Sequence, residues 1–148
     1  MGACCTSGQF SYERPILNDL ESLQSAQAAY SSVAGGWYGT PACLGAPWDC
    51  LQGYPADGPA FVPPALATLT PENGYARSFY KDRPTNPMAV PGPFGQTYAA
   101  WAYTAVPQKE RGKRRSFCAD STGRICAYKG PMPEPIRAQC SSPCERLR

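Results

Sequence analysis

The sequence predicts an α+β fold: one long N-terminal amphipathic helix packed on an antiparallel sheet of three or four strands, with disulfide-stapled loops. Three observations carry this expectation. Apolar residues recur at helical spacing between residues 15 and 34 and nowhere later as regularly. The second half holds short runs rich in aromatic and β-forming residues, separated by turn clusters. The chain also has eight cysteines and no histidine, beside 17 prolines and 14 glycines in 148 residues. Cysteine this dense among loop-forming residues marks a disulfide framework made in an oxidising compartment.

The elements follow in order. Residues 1–13, MGACCTSGQFSYE, show no periodicity and read as an irregular N-terminal segment. Pro15 suits the first turn of a helix, where its missing N–H costs nothing. Ile16, Leu17, Leu20, Leu23, Tyr30, Val33 and Ala34 then form an apolar stripe, and Gly35 and Gly36 stop the helix. A helix over 15–34 is roughly 30 Å long and leaves Asp19, Glu21, Gln24 and Ser31 for water or partners. Residues 35–73 read as a long loop stapled by Cys43 and Cys50, with a short helix opened by Pro63 and Pro64 and ended by Pro71 and Gly74.

The sheet is expected over 74–129. Tyr75 to Tyr80 forms one strand. In Gln96 to Val106, Tyr98, Ala100, Ala102 and Thr104 share one face, and Thr97, Ala99, Trp101, Tyr103 and Ala105 the other. Arg115 to Ala119 and Arg124 to Tyr128 flank the turn cluster Asp120, Ser121, Thr122, Gly123 and read as a hairpin. The tail, 130–148, is Pro-rich and closes on Cys140 and Cys144. Residues 14–148 make one globular domain, since 43% hydrophobic residues suffice for one modest core.

Local pairing is the economical disulfide pattern. In a hairpin centred on Thr122, Cys118 and Cys126 lie directly opposite, within reach of a cross-strand bridge. Cys43 with Cys50 and Cys140 with Cys144 would close short loops, each contributing about 2 to 3 kcal/mol. Eight cysteines permit about a hundred connectivities, so other pairings stay open.

Chemistry is sparse. Without histidine or a C-x-x-C knuckle, a zinc site is not expected, and neither a Ser-His-Asp arrangement nor a phosphate-binding glycine loop occurs. The chain therefore reads as a non-enzyme with no cofactor and no small-molecule substrate. The net charge is only +3, but Lys109, Arg111, Lys113, Arg114 and Arg115 cluster around Glu110. They are a candidate anion-binding loop for nucleic acid or a surface polymer, although such runs are more often solvated. Met1 to Thr6 matches the myristoylation pattern at Gly2, with Cys4 and Cys5 placed for palmitoylation. The plainer reading pairs those two cysteines with downstream ones.

Four stretches taken together resemble a known family: DLESLQSAQAAYSS, GYARSFY, YTAVPQ and RSFCADSTGRICAYKG. Their order is similar to that in the globular head of type IV pilins and related pseudopilins, over most of residues 15–130. Cys140 to Arg148 also resembles the cysteine-closed end of some bacterial pilin-like proteins. Family members carry an apolar N-terminal half-helix behind a short basic leader, whereas here MGACCTSGQFSYE stands in that place. No run approaches the ~20 apolar residues of a membrane span, and none near Met1 suits a signal peptide.

The resemblance implies a structural subunit of an extracellular type IV pilus-like or pseudopilus filament, on the cell surface or in the periplasm. It would act by self-association and surface contacts, with other pilin-like subunits as partners, including a separate apolar-helix chain. Ala26, Ala28 and Ala29 are candidates for a small-residue packing face. Two alternatives stand beside it: a secreted disulfide-stabilised binding module with such a head, and an N-terminally acylated peripheral membrane protein.

Overall fold

The computed structural model describes residues 3–82, 97–109 and 114–147, with side chains from Glu13 onward, Thr97 excepted. Helix α1 (Ala3–Val33) leads into β1 (Tyr38–Gly39), α2 (Pro41–Gly45), a 3-10 turn (Pro47–Asp49) and α3 (Pro64–Ala67). The strands that follow are β2 (Tyr75–Asp82), β3 (Thr97–Tyr98), β4 (Ala100–Pro107), β5 (Ser116–Asp120), β6 (Ile125–Tyr128) and β7 (Glu145–Arg146). Strands β2, β4, β5, β6 and β7 form one sheet in that spatial order, antiparallel throughout, and β1 pairs with β3 in a small ribbon.

The helix starts earlier than its periodicity predicts. It begins at Ala3, so residues 3–13, expected to be irregular, are helical, and Pro15 lies inside the helix. Proline removes its own backbone hydrogen bond. Glu13 and Ile16, on either side of Pro15, are nonetheless held in the interior.

Residues 35–73 are also more ordered than a long loop. The Thr40 hydroxyl accepts from the Cys43 backbone N–H at 3.2 Å, and Pro41 occupies the first turn, so α2 has both a cap and a preset φ. Before β2, Glu72 and Tyr75 exchange backbone hydrogen bonds of 3.1 and 2.9 Å around Asn73 and Gly74, which have φ of 54° and 79°. This is the left-handed pair that an Asn-Gly turn favours. The run from Gln96 to Val106 divides at Ala99 into β3 and β4, which belong to different sheets.

The sheet has two covered faces. Trp101, Tyr103, Ala105, Phe117, Ala119, Ile125 and Ala127 meet Ile16, Leu20, Leu23 and Tyr30 of α1 in the main core. Val33, placed in the stripe by its spacing, is exposed, and Ala34 takes the last buried position. On the outer face, Ala102, Cys118, Cys126 and Tyr128 cluster with Cys140 of the C-terminal segment and with partly buried Met132 and Cys144. With cover on both sides, every residue of β5 and β6 is buried.

Among the described residues three disulfides close the structure: Cys43–Cys50, Cys118–Cys140 and Cys126–Cys144. The first is the expected one. The other two replace the expected Cys118–Cys126 and Cys140–Cys144 pairs, although Cys118 and Cys126 do oppose each other in the β5–β6 ladder. Both point to the outer face, and the tail lies across that face, held by its own hydrogen bonds. The Cys140 N–H donates to Asp120 at 2.9 Å, and the Tyr128 hydroxyl donates to the Ser141 carbonyl at 2.7 Å. Bridges to the tail span 22 and 18 residues and so restrict the unfolded chain more than the short local loops would. Three disulfides indicate maturation in a non-cytoplasmic, oxidising compartment. Among the described residues, no helix is long and apolar enough to cross a membrane.

Candidate functional site

Helix α1 presents two unlike faces. Positions 13, 16, 20, 23, 27, 30 and 34 are buried against the rest of the chain, while Asn18, Ser22, Ser25, Ala28 and Ser32 are exposed. Asn18, Glu21, Ser22, Ser25, Ala29 and Phe61 line an open groove of about 580 Å³, with buried Ala26 at its floor. The Phe61 ring is set by an edge-on contact with Tyr30, centroids 5.9 Å apart, and by its backbone N–H bond to Leu44 at 2.8 Å. Of the three alanines expected on a packing face, Ala28 is exposed and Ala29 half-buried. Ala26 is buried, because its position on the helix turns it toward the core.

Polar anchors fix the covered face of the helix. Arg115 donates from Nε to Glu13 Oε2 at 2.9 Å and from Nη2 to Glu13 Oε1 at 2.7 Å, a two-pronged bond. Its Nη1 donates to Glu145 of β7 at 3.0 Å. Its hydrogen bonds to Glu13 make the guanidinium still harder to deprotonate than usual. Gln27, fully buried, satisfies both backbone groups of Gly39: its Nε2 donates to the carbonyl and its Oε1 accepts from the N–H at 3.1 Å. Gln24, expected to face water, donates to the Arg124 carbonyl at 3.1 Å and ties the helix to the β5–β6 turn.

A second ionic cluster lies under β2. The Arg77 guanidinium, 1% exposed, donates to the Thr70 and Ala65 carbonyls at 2.7 and 2.6 Å. Its Nη1 stands 3.7 Å from Asp19 and 3.5 Å from Glu72, so one cation faces two carboxylates. Burial pushes the Asp19 carboxyl up to about 6, the Glu72 charge adds to the rise, and Arg77 offsets only part of it. Burial likewise pushes the Tyr103 hydroxyl, beside this cluster, up to about 12. Asp19, expected to face water or partners, is half-buried here.

The basic segment is not assembled as an open anion site among the described residues. Lys109 is exposed, and Arg111 and Lys113 lie outside the described residues. Arg114 stacks over the Tyr75 ring at 5.9 Å and donates to the Asn73 carbonyl at 3.4 Å. Arg115 spends its charge on Glu13 and Glu145. The lipidation candidate Gly2 lies outside the described residues, and Cys4 and Cys5 fall on the first turn of α1, where side chains are not described. All six remaining candidate cysteines are in disulfides.

The anchoring residues Glu13, Arg77 and Glu145 have no motif of their own. Glu13 and Gln27 could have been found, since both fall in step with the apolar stripe at Ile16, Leu20, Leu23 and Tyr30. A polar residue in such a stripe requires a buried partner. No family model matches this chain, and no curated protein or solved structure matches it at a significant level.

Proposed function

We propose that this chain is a structural subunit of a type IV pilus-like or pseudopilus filament outside the cytoplasm, working by self-association and not as an enzyme. The observation that carries this reading is the open face of α1. A helix whose opposite face is buried against the sheet and the stapled 35–73 segment keeps Asn18, Ser22, Ser25 and Ala28 exposed and Ala29 half-open beside a groove. Small side chains allow a second helix to approach closely, which is what packing of trunk helices demands. The order of elements, helix, stapled loop, antiparallel sheet and disulfide-bound tail, supports the same reading through its similarity to pilin heads. The binding-module alternative calls for a helix covered all round, and the exposed face weighs against it.

The test is electron microscopy of the chain expressed alone, with a separate apolar-helix chain, and with an apolar N-terminal extension. Filaments are expected in the last two samples. A Ser25→Trp variant, which fills the groove from an exposed position, is expected to fold normally and to lose assembly. Wild-type filaments from Ser25→Trp, or no filament with either apolar helix, would overturn the reading. A fatty-acyl mass on Gly2, Cys4 or Cys5 would favour the acylated peripheral protein instead.

A further inference from the structure

Of the six cysteines in disulfides, five are buried and Cys144 alone is partly open to solvent. It lies in the wall of a surface pocket of about 500 Å³, with Tyr128, Lys129, Pro131, Pro133 and Pro143. The pocket gives a second thiol a path to the Cys144 side of the Cys126–Cys144 bridge. Lys129 places a positive charge on that wall, which favours an incoming thiolate. Glu145 lines the same pocket and opposes that attraction in part, since Arg115, 3.0 Å from it, is shared with Glu13.

What would happen after attack is set by the ladder. Cys126, the leaving sulfur, sits on the outer face directly opposite Cys118, which is bridged to Cys140. Directly opposed residues of an antiparallel pair have Cβ atoms about 4.5 to 5.5 Å apart, and the short end of that range meets the roughly 3.5 to 4.5 Å span of a disulfide. The nearest disulfide to a Cys126 thiolate is therefore the other half of the same clasp.

We propose that Cys144 is a thiol-exchange site, and that attack there by an external cysteine thiolate rewires the clasp that holds the C-terminal segment. The external sulfur bonds to Cys144 Sγ, and Cys126 leaves as thiolate. Cys126 then attacks Cys118 Sγ, forming Cys118–Cys126 and expelling Cys140 as thiolate. Cys140 attacks the Cys144 sulfur of the mixed disulfide, forming Cys140–Cys144 and returning the external thiolate. Three bonds form and three break, no electron is gained or lost, and the attacking thiol is a catalyst. The tail loses both covalent ties to the sheet and keeps non-covalent ones: hydrogen bonds such as Cys140 to Asp120 and Tyr128 to Ser141, the Glu145–Arg115 ion pair, and the packing of Met132 and Leu147. Its departure would uncover Ala102 and Tyr128 and free the β6 edge that β7 now pairs with.

The experiment exposes the full chain to reduced glutathione, or in parallel to a thioredoxin-fold dithiol protein, with acid quenching, alkylation and peptide mapping by mass spectrometry. The expected first product is an adduct on Cys144. A Cys118–Cys126-linked peptide follows as the Cys118–Cys140 peptide disappears, with Cys43–Cys50 intact. A Cys4→Ser/Cys5→Ser background should behave identically, because the nucleophile is external. Rewiring by glutathione alone assigns the pocket to small thiols; rewiring by the protein as well assigns it to exchange proteins too. A first adduct on any other cysteine, or full reduction without a Cys118–Cys126 peptide, overturns the proposal. In Cys126→Ser/Cys144→Ser the buried Cys118–Cys140 bridge should resist both thiols, and its opening at the wild-type rate would equally overturn the proposal.

Discussion

Arg115 grips Glu13 through two hydrogen bonds of 2.9 and 2.7 Å across 102 residues of sequence. The pair joins the N-terminal helix to the start of β5, and the Glu145 contact extends it to the last strand. The Glu13 side chain is 2% exposed, so its charge depends on this arginine and not on water for its compensation.

Removing one partner should therefore cost far more than removing both. Arg115→Ala is expected to destabilise by about 3 kcal/mol or more, since it leaves a buried carboxylate unpaired. The Glu13→Ala/Arg115→Ala double variant should lose less than Arg115→Ala alone, because no unpaired carboxylate remains. Glu145→Ala, at an exposed carboxylate, should cost less than about 1 kcal/mol. Urea denaturation of the four variants checks the ordering, and equal losses across the set would contradict it.

Asp19 gives the fold a pH dependence. Its carboxyl is raised from 3.8 to about 6 in the folded chain, chiefly by burial, while it shares Arg77 with Glu72 beside Tyr103. Between those values the folded state holds a proton that the unfolded state has released. This contribution to stability is fully present below about pH 4 and is lost as pH rises through 6. Asp19→Asn should flatten that slope. Denaturation midpoints measured from about pH 3.5 to about pH 7, which brackets the interval between 3.8 and about 6, test it; a wild-type slope in the variant would assign the dependence elsewhere.

The two faces of α1 should respond differently to truncation. Leu20 is fully buried under the sheet, and Leu20→Ala is expected to cost about 2 to 5 kcal/mol. Ser22→Ala, on the open face, should stay within about 0.5 kcal/mol. Thermal or urea unfolding reads both. A large loss at Ser22 would mean that the open face is covered within a single chain.

Disulfide removal should scale with the loop enclosed. Breaking Cys118–Cys140 or Cys126–Cys144 by paired serine substitution should cost about 3 kcal/mol, against about 2 kcal/mol for Cys43–Cys50, because the unfolded loops differ in length. Alkylation without reductant should leave at least these six cysteines unmodified in an intact-mass measurement. Mostly free thiols would remove the basis for a non-cytoplasmic compartment.

Some of this was written in local pattern. The stripe from Ile16 to Ala34, the opposition of Cys118 and Cys126 around Thr122, and the Cys43–Cys50 staple each depend on residues near one another in the chain. The backbone period and turn chemistry expose them directly. The Asn73–Gly74 turn was equally local, but reading Gly74 as a helix stop hid the start of a hairpin.

The candidate site was less legible. Asp19 and Gln24 look like solvent residues on a helix drawn in isolation. Only the arrival of Arg77 and of the Arg124 carbonyl makes them half-buried, partnered groups. The basic run around Arg115 reads as a cationic surface until Glu13 and Glu145 occupy it.

The sequence by itself determined the α+β class, the buried stripe of α1, the hairpin register and the presence of a disulfide framework, because periodicity, turn residues and cysteine density act over short range. Only the tertiary structure decided which cysteines join and which charges are buried. The tail lies across the outer face of β5 and β6, and that placement sets Cys140 on Cys118 and Cys144 on Cys126. Side chains on one face of a sheet are equally available to a strand neighbour and to whatever segment covers them, and covering is a property of the whole chain.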